Sequence, residues 1–301
     1  MAPVETSIRP LRTNLGDHPA FMAIKSGALA APGVAFDFCG PKSPPSGFKD
    51  MVRAGAYDVG ELALGTYLQA ATYLKPIMLL PVTITARLQH HMIVCRDAAR
   101  FAPSDAAGKR IGVRSYTQTT GIWVRSILSE TYGVDLDAVT WVTTEGAHLA
   151  EYTDPPNVRR MAMGSDSIAD MLFAGKLDAA IFGADMPKDR PDLVPLIADP
   201  HAAARQWHAR HGYVPINHML AVTHDLAERE PETVRAIYRL FAEAKARAPI
   251  GDDGIDFLPL GFDAVRAPVE AMVDHAVEQR IIPQRLSFDE LFEGARRLLD
   301  G

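Results

Sequence analysis

Glu61, in "YDVGELAL", is an acid inside an otherwise apolar strand end. A buried carboxylate is costly without a partner, so such a residue orients a histidine, protonates a ligand, or stays at the strand end in solvent. Histidines stand in two extended stretches, His90-His91 after Gln89 and His218 within "PINHML". An imidazole can give or take a proton near neutral pH. Consecutive residues of an extended strand point to opposite faces, so at most one of His90 and His91 faces a cleft. A single histidine in a strand is ordinarily a packing residue. Two on strands that cross side by side make a pair able to do acid–base work, and His218 is expected to approach His90.

A second set of residues could hold an anion. In "GVRSYTQTTGIWV" a strand end runs through Ser115, Tyr116, Thr117, Gln118, Thr119 and Thr120 into a helix, six hydrogen-bonding side chains without an acid or a base. Helix N-termini carry unpaired N–H groups and partial positive charge, and they attract carboxylates, phosphates and sulfonates. Capping by Thr117 or Thr119 would account for one of these residues but not for the cluster. Arg87 is the cation nearest the stretch that holds His90, and it could grip a carboxylate bidentately. Tyr116 could stack on a ring. Trp123, on the apolar side of the helix, reads as core. Asp185 is counted with the ligand contacts. A divalent metal stays open, with His90, His218, Glu61 and Asp185 as its candidate ligands, but no short motif such as H-E-x-x-H is present. No cofactor is expected. Walker, G-x-G-x-x-G and G-x-S-x-G patterns are all missing.

These residues must be positioned by alternating strands and helices. Strands are expected over residues 9–16, 34–39 and 58–64, and helices over 20–30 and 47–54. Residues 78–96 read as one strand leaving a first lobe. A helix is expected over 119–132, ended by Gly133, with Trp123, Val124, Ile127 and Leu128 on one apolar face. Extended stretches near 88–95 and 215–222 would then bracket a middle lobe, giving a hinged two-lobed α/β clamshell. The first lobe comprises 1–92 plus 220–301, and the second 93–219. Ligands of open α/β sheets bind beyond the carboxyl ends of strands, at helix N-termini, and in a clamshell those ends face each other.

The whole chain fits this plan. Its 301 residues exceed one ordinary core, and 48% apolar against 23% charged is the balance of a globular protein. The net charge of −6 argues against nucleic acid and anionic membranes as partners. Cys39 and Cys95 show neither metal spacing nor a disulfide framework. The N-terminal "MAPVETSIRPLRTNLG" has no apolar segment or cleavage site of a secretory signal, so a cytoplasmic protein is expected.

The segments "YDVGELALGTYL" (57–68), "GKRIGVRSYTQTTGIWVRSILSETYGVD" (108–135), "SIADMLFAGKLDAAI" (167–181), "GYVPINHMLAV" (212–222) and "QRIIPQRLSFDELF" (279–292) carry a further signal. Together they resemble the 4,5-dihydroxyphthalate decarboxylase family, relatives of the type II periplasmic binding proteins, over most of the chain. Residues 108–135 are the most specific of these segments. Where the family has an arginine-rich segment after its first strand, "GDHPAFMAIKSG" offers His18 and Lys25. Where the family tends to an Arg-His-Ser string, this chain has Gln89-His90-His91.

The resemblance implies a non-oxidative decarboxylase of a hydroxylated aromatic acid similar to 4,5-dihydroxyphthalate. Such chemistry needs a general acid for the ring carbon, dipoles for developing charge, and a held, desolvated carboxylate. On the resemblance His90 is chosen over His91, so His90, His218 and Glu61 form the expected catalytic group. His18, Arg87, Ser115, Tyr116, Gln118, Thr119, Thr120 and Asp185 are expected to touch substrate. The partner is a small aromatic or organic acid, and homo-oligomer formation is left open. The rival expectation is a binding protein of the same fold that captures a small organic anion without catalysis.

Overall fold

The computed structural model describes residues 8–248 and 254–300. Its first sheet has five strands: β1 (Leu11–Asn14), β2 (Phe36–Asp37), β3 (Val59–Ala63), β4 (Ile77–Ala86) and β11 (Ile216–Thr223). They lie in the order β2-β1-β3-β11-β4. The second sheet has six: β5 (Ile93–Arg96), β6 (Arg110–Val113), β7 (Thr140–Thr143), β8 (Val158–Arg160), β9 (Ala179–Ile181) and β10 (Leu193–Pro195), in the order β10-β5-β9-β6-β7-β8. In each sheet the βα units run parallel, and the strands that join the lobes are antiparallel: β11 against β3 and β4, and β5 against β9 and β10.

The helices are α1 (Met22–Lys25), α2 (Phe48–Ala54), α3 (Leu64–Thr72), α4 (Thr119–Tyr132), α5 (Ile168–Phe173), α6 (Pro200–His211), α7 (His224–Arg229), α8 (Pro231–Arg247), α9 (Phe262–Glu278) and α10 (Phe288–Leu299). The helix expected over 20–30 is cut to a 3-10 turn and the single turn of α1, because Gly27 takes φ +75° right after it. The single strand expected over 78–96 is two strands in two sheets, β4 and β5, with a 3-10 turn over His90–Met92 between them. The second extended stretch carries the chain back into the first sheet. From Ile216 onward β11 pairs with β3 and β4, so the returning chain has already joined the first sheet at that point.

α4 is the keystone between the lobes. Residues 119–128 are all buried, and the helix packs on α3 and α9 of the first lobe. Full burial of a side chain such as Ile127 or Leu128 contributes about 1.5–3 kcal/mol. The Trp123 indole N–H donates to the Ile216 carbonyl at 2.9 Å. Gln279, just past α9, accepts from Arg125 Nε at 2.6 Å and donates to the Ile122 carbonyl and the Ser126 hydroxyl. Gly133 ends α4 at φ 67°, where its N–H and that of Val134 bond back to the last turn. A second apolar cluster, built on Val94, Val142, Met171 and Leu172, fills the outer side of the six-stranded sheet.

Candidate active site

A cavity of about 210 Å³ lies between the sheets, where the carboxyl ends of β3 and β6 meet the N-termini of α3 and α4. Its walls come from both lobes. Phe48, Ala63, Thr66, Asn217 and His218 lie on the first-lobe side, and Arg114, Ser115, Thr117–Thr120, Glu145 and His148 on the second, with Arg87 at the junction. Larger hollows of about 420 and 460 Å³ lie around Met78, His224 and Arg297, and none of the cavity residues lines them.

Glu61 sits on β3 behind the cavity wall and is 1% exposed. Leu220 of β11 is its register partner, so His218, two residues earlier on the same face, is its diagonal neighbour. His218 Nδ1 donates to Glu61 Oε2 at 2.6 Å. His18 Nε2 at 2.7 Å and the Gly16 N–H at 2.7 Å both donate to Oε1. Burial pushes the carboxyl up, but the hydrogen bonds and charge of the two imidazoles outweigh it and hold Glu61 well below the usual carboxylate range. Glu61 is therefore ionised. With Nδ1 committed, His218 turns Nε2 to the cavity, and its ring packs edge-on against Phe48 at 5.2 Å.

The opposite wall is the α4 N-terminus. Gln118 is the N-cap residue and its side chain makes no capping bond. Thr117 and Thr119 do not cap either. Thr119 Oγ1 accepts the Gly65 N–H across the cleft at 3.0 Å, and Thr120 Oγ1 accepts from Asn217 Nδ2 at 3.1 Å. Among the described residues, the N–H groups of Thr119, Thr120 and Gly121 meet no acceptor. Both hydroxyls keep their own hydrogen free to donate. Among the described residues, Arg87 has no carboxylate within 4.0 Å. Its Nε reaches Asn217 Oδ1 at 3.3 Å, and burial depresses its pKa against the opposing pull of Asp185. Among the described residues, the one carboxylate within 4.0 Å of Arg114 is that of Glu145, 3.9 Å away. Two guanidinium groups and one helix N-terminus thus converge on a cavity, with their charge mostly uncompensated.

His148 was not singled out from sequence, because it lies in the irregular segment after β7. It lines the cavity and shares a 2.7 Å hydrogen bond with Thr66 Oγ1 across the cleft, while its backbone carbonyl accepts from Arg53 Nε. Burial, with Lys49, Arg114 and Arg53 adding to it, pushes its pKa down to about 4, so the ring is neutral. Asn217 was also missed. Its side chain accepts from Arg87 and Gln89 and donates to Thr120, joining the two lobe connections to α4. Strict alternation would turn Asn217 away from the face of His218, but β11 is irregular against β4 at Ile216/His218, and both residues line the cavity.

Of the expected residues, Arg87, Ser115, Gln118, Thr119, Thr120, Asp185 and His218 line this cavity, and Glu61 stands directly behind it. Three do not. His90 is 1% exposed and packs on Trp207 with both ring nitrogens unpartnered, and burial pushes its pKa down to about 4. The 3-10 turn over residues 90–92 carries it to the far side of the junction, so it meets neither His218 nor Glu61. Tyr116 lies in the turn closed by the Gln118 N–H on the Ser115 carbonyl, and its buried ring sits beneath the Arg125 guanidinium, 4.0 Å away, instead of lining the cavity. His18 binds the carboxylate oxygen of Glu61 that His218 leaves free and is not part of the lining. Among the described residues no group of three or more His, Cys, Asp or Glu is arranged to hold a metal ion, and no helix is long and apolar enough to cross a membrane.

Searched against family models, the chain matches none. It is 30% identical over 225 residues to the 4,5-dihydroxyphthalate decarboxylase of Comamonas testosteroni, spanning 69% of this chain and 66% of that protein. Over 184 residues it is 30% identical to the protein of the same name from Pseudomonas putida, spanning 57% of this chain and 71% of that one. Among solved structures, the alkanesulfonate-binding protein SsuA of Xanthomonas axonopodis pv. citri superposes with a TM-score of 0.56 at 13% identity, over 94% of this chain and 97% of that chain. The desulfurization enzyme DSZB gives 0.52 at 16% identity, over 96% and 99%. These likenesses establish the fold as a two-lobed, periplasmic-binding-protein-like α/β clamshell. The sequence relatives carry the assignment further: the chain belongs to the 4,5-dihydroxyphthalate decarboxylase family.

Proposed function

We propose that the protein is a carboxy-lyase that removes CO2, without oxidation, from a hydroxylated aromatic acid similar to 4,5-dihydroxyphthalate. The observation that carries this reading is the Glu61–His218 pair, a buried ionised carboxylate that holds one imidazole nitrogen and leaves the other on an arginine-lined cavity. Protonated His218 donates Nε2–H to the ring carbon that bears the carboxylate. A hydroxyl para to that carbon supplies the electron density, and the ring loses aromaticity. The carbon–carboxylate bond then breaks, its electron pair returns to the ring, CO2 departs, and the transferred proton stays on carbon. Glu61 fixes the tautomer and stabilises the imidazolium. Arg87, Arg114 and the α4 N-terminus hold the carboxylates. The neutral ring of His148 is suited to a ring hydroxyl, for which it can be donor or acceptor. This route draws on no cofactor.

The names of the two sequence relatives support the same reaction class. A binding protein is the second reading, favoured by the fold shared with a protein described as alkanesulfonate-binding and by the donor-rich α4 turn. Capturing an anion needs that turn but gives no use to a carboxylate buried behind a histidine. The two readings separate on CO2 release from a panel of hydroxybenzoates and hydroxyphthalates, measured beside their binding. Release from at least one acid supports the lyase, and tight binding of several acids without any release supports the binding protein.

A further inference from the structure

We infer that His18 is a positioning residue that shares with His218, through Glu61, the single extra proton on which the reaction depends. The inference rests on the decarboxylase reading above and deepens it. Glu61 is one carboxylate with an imidazole on each oxygen: His18 Nε2 on Oε1 at 2.7 Å and His218 Nδ1 on Oε2 at 2.6 Å. The arrangement is built in. Gly16 donates its N–H to the same Oε1, and a Cβ at Gly16 would stand 3.0 Å from both Glu61 Oε1 and His18 Nε2, so a side chain here would press on the pair.

Charge then limits the occupancy. One buried negative charge balances one imidazolium. A second would leave net positive charge beside a cavity that already holds Arg87 and Arg114. The extra proton therefore sits on one ring or the other. The two rings face different surroundings. His218 meets the cavity, where His148 is neutral and Arg114 lies beyond it. His18 is 23% exposed on its side chain and lies toward Asp17, which Lys25 binds at 2.5 Å and Lys42 also approaches. When a ligand covers His218, His18 keeps contact with solvent and with the same carboxylate. A proton held on His18 is one that His218 lacks, so His18 sets the fraction of molecules ready to react. Sites coupled in this way titrate as a pair, not as individuals.

The test pairs ring NMR titrations of isotope-labelled protein with pH profiles of kcat and KM, for the unmodified chain, His18→Gln and Glu61→Gln. In the unmodified chain both rings should sense both titration steps. His18→Gln keeps an N–H donor for Glu61 but removes the competing site. It should leave His218 with one step at higher pH and move the alkaline limb of kcat the same way, with KM unaltered. His18→Asn repeats the measurement if His18→Gln disturbs folding. The inference is overturned if the His218 titration and the kcat profile are unchanged in these variants. It is equally overturned if KM rises at an unaltered pH profile, which would put His18 on the substrate. Should the unmodified chain release no CO2 from any aromatic acid, the lyase reading falls, and the ring titrations alone decide whether the proton is shared.

Discussion

His218 and Glu61 are 157 residues apart in the chain, yet Nδ1 of one lies 2.6 Å from Oε2 of the other, on adjacent antiparallel strands. That contact turns a strand histidine into an acid of fixed tautomer. Glu61→Gln keeps the shape and removes the charge that stabilises the imidazolium. Turnover should fall on the order of 100-fold, and the alkaline limb of the kcat profile should move to lower pH, since His218 then loses its proton more easily. A CO2-release assay across pH measures both effects.

The α4 N-terminus makes its own prediction. Thr119→Val with Thr120→Val removes two hydroxyls that line the cavity and also accept Gly65 N–H and Asn217 Nδ2–H. Binding of a carboxylate ligand should weaken by about 1–3 kcal/mol. Calorimetry with the folded double variant is the check, and unchanged affinity would mean the ligand does not use this turn.

Arg87 lies on the cavity with no acid within 4.0 Å among the described residues, so a bound carboxylate is its natural counter-charge. Arg87→Met should raise KM by about tenfold or more, the effect of losing one charged hydrogen bond. Arg87→Lys should recover only part of this, because an ammonium cannot match a carboxylate bidentately.

Stability should depend on pH in a defined window. Burial lowers the pKa of His90, His148 and His275 to about 4 each, so the folded chain keeps these rings neutral while the unfolded chain protonates them near its usual 6.5. The stabilisation is complete above about pH 6.5 and is lost as pH falls toward 4, on the order of 3 kcal/mol per ring. Glu61 contributes in full above about pH 4.5, where the unfolded chain begins to protonate it; its contribution starts to fail at the acid end of that window and is lost progressively in stronger acid. Urea midpoints should fall between pH 6.5 and 4, and His90→Gln should flatten the slope if it folds.

Periodicity and end signals made α4 legible: the span 119–132 and the stop at Gly133 are both as expected. The donor-rich turn was legible for the same reason, being local in sequence. Glu61 stood out as an acid among apolar residues, but its bond to His218 depends on strand register, which no local pattern records. His90 was chosen on the family resemblance, within residues 78–96 read as one strand, and the 3-10 turn at 90–92 breaks that strand. Tyr116 goes to the core because the chain turns between Ser115 and Gln118, a geometry that no periodic pattern records. Asn217 escapes strand alternation through the irregularity in β11. His148 has no pattern around it at all, and only the closure of the lobes brings it to Thr66.

The central claim, that His218 is the acid of a decarboxylation, is tested most directly by His218→Gln on an aromatic acid that the unmodified chain converts. Affinity for the acid is measured by calorimetry and CO2 release at saturation by single-turnover assay. The account predicts nearly unchanged binding, with CO2 release slower on the order of 100-fold or more. His90→Gln, altered at a ring that does not line the cavity, should release CO2 close to the rate of the unmodified chain. Release by folded His218→Gln at the unmodified rate would contradict the account.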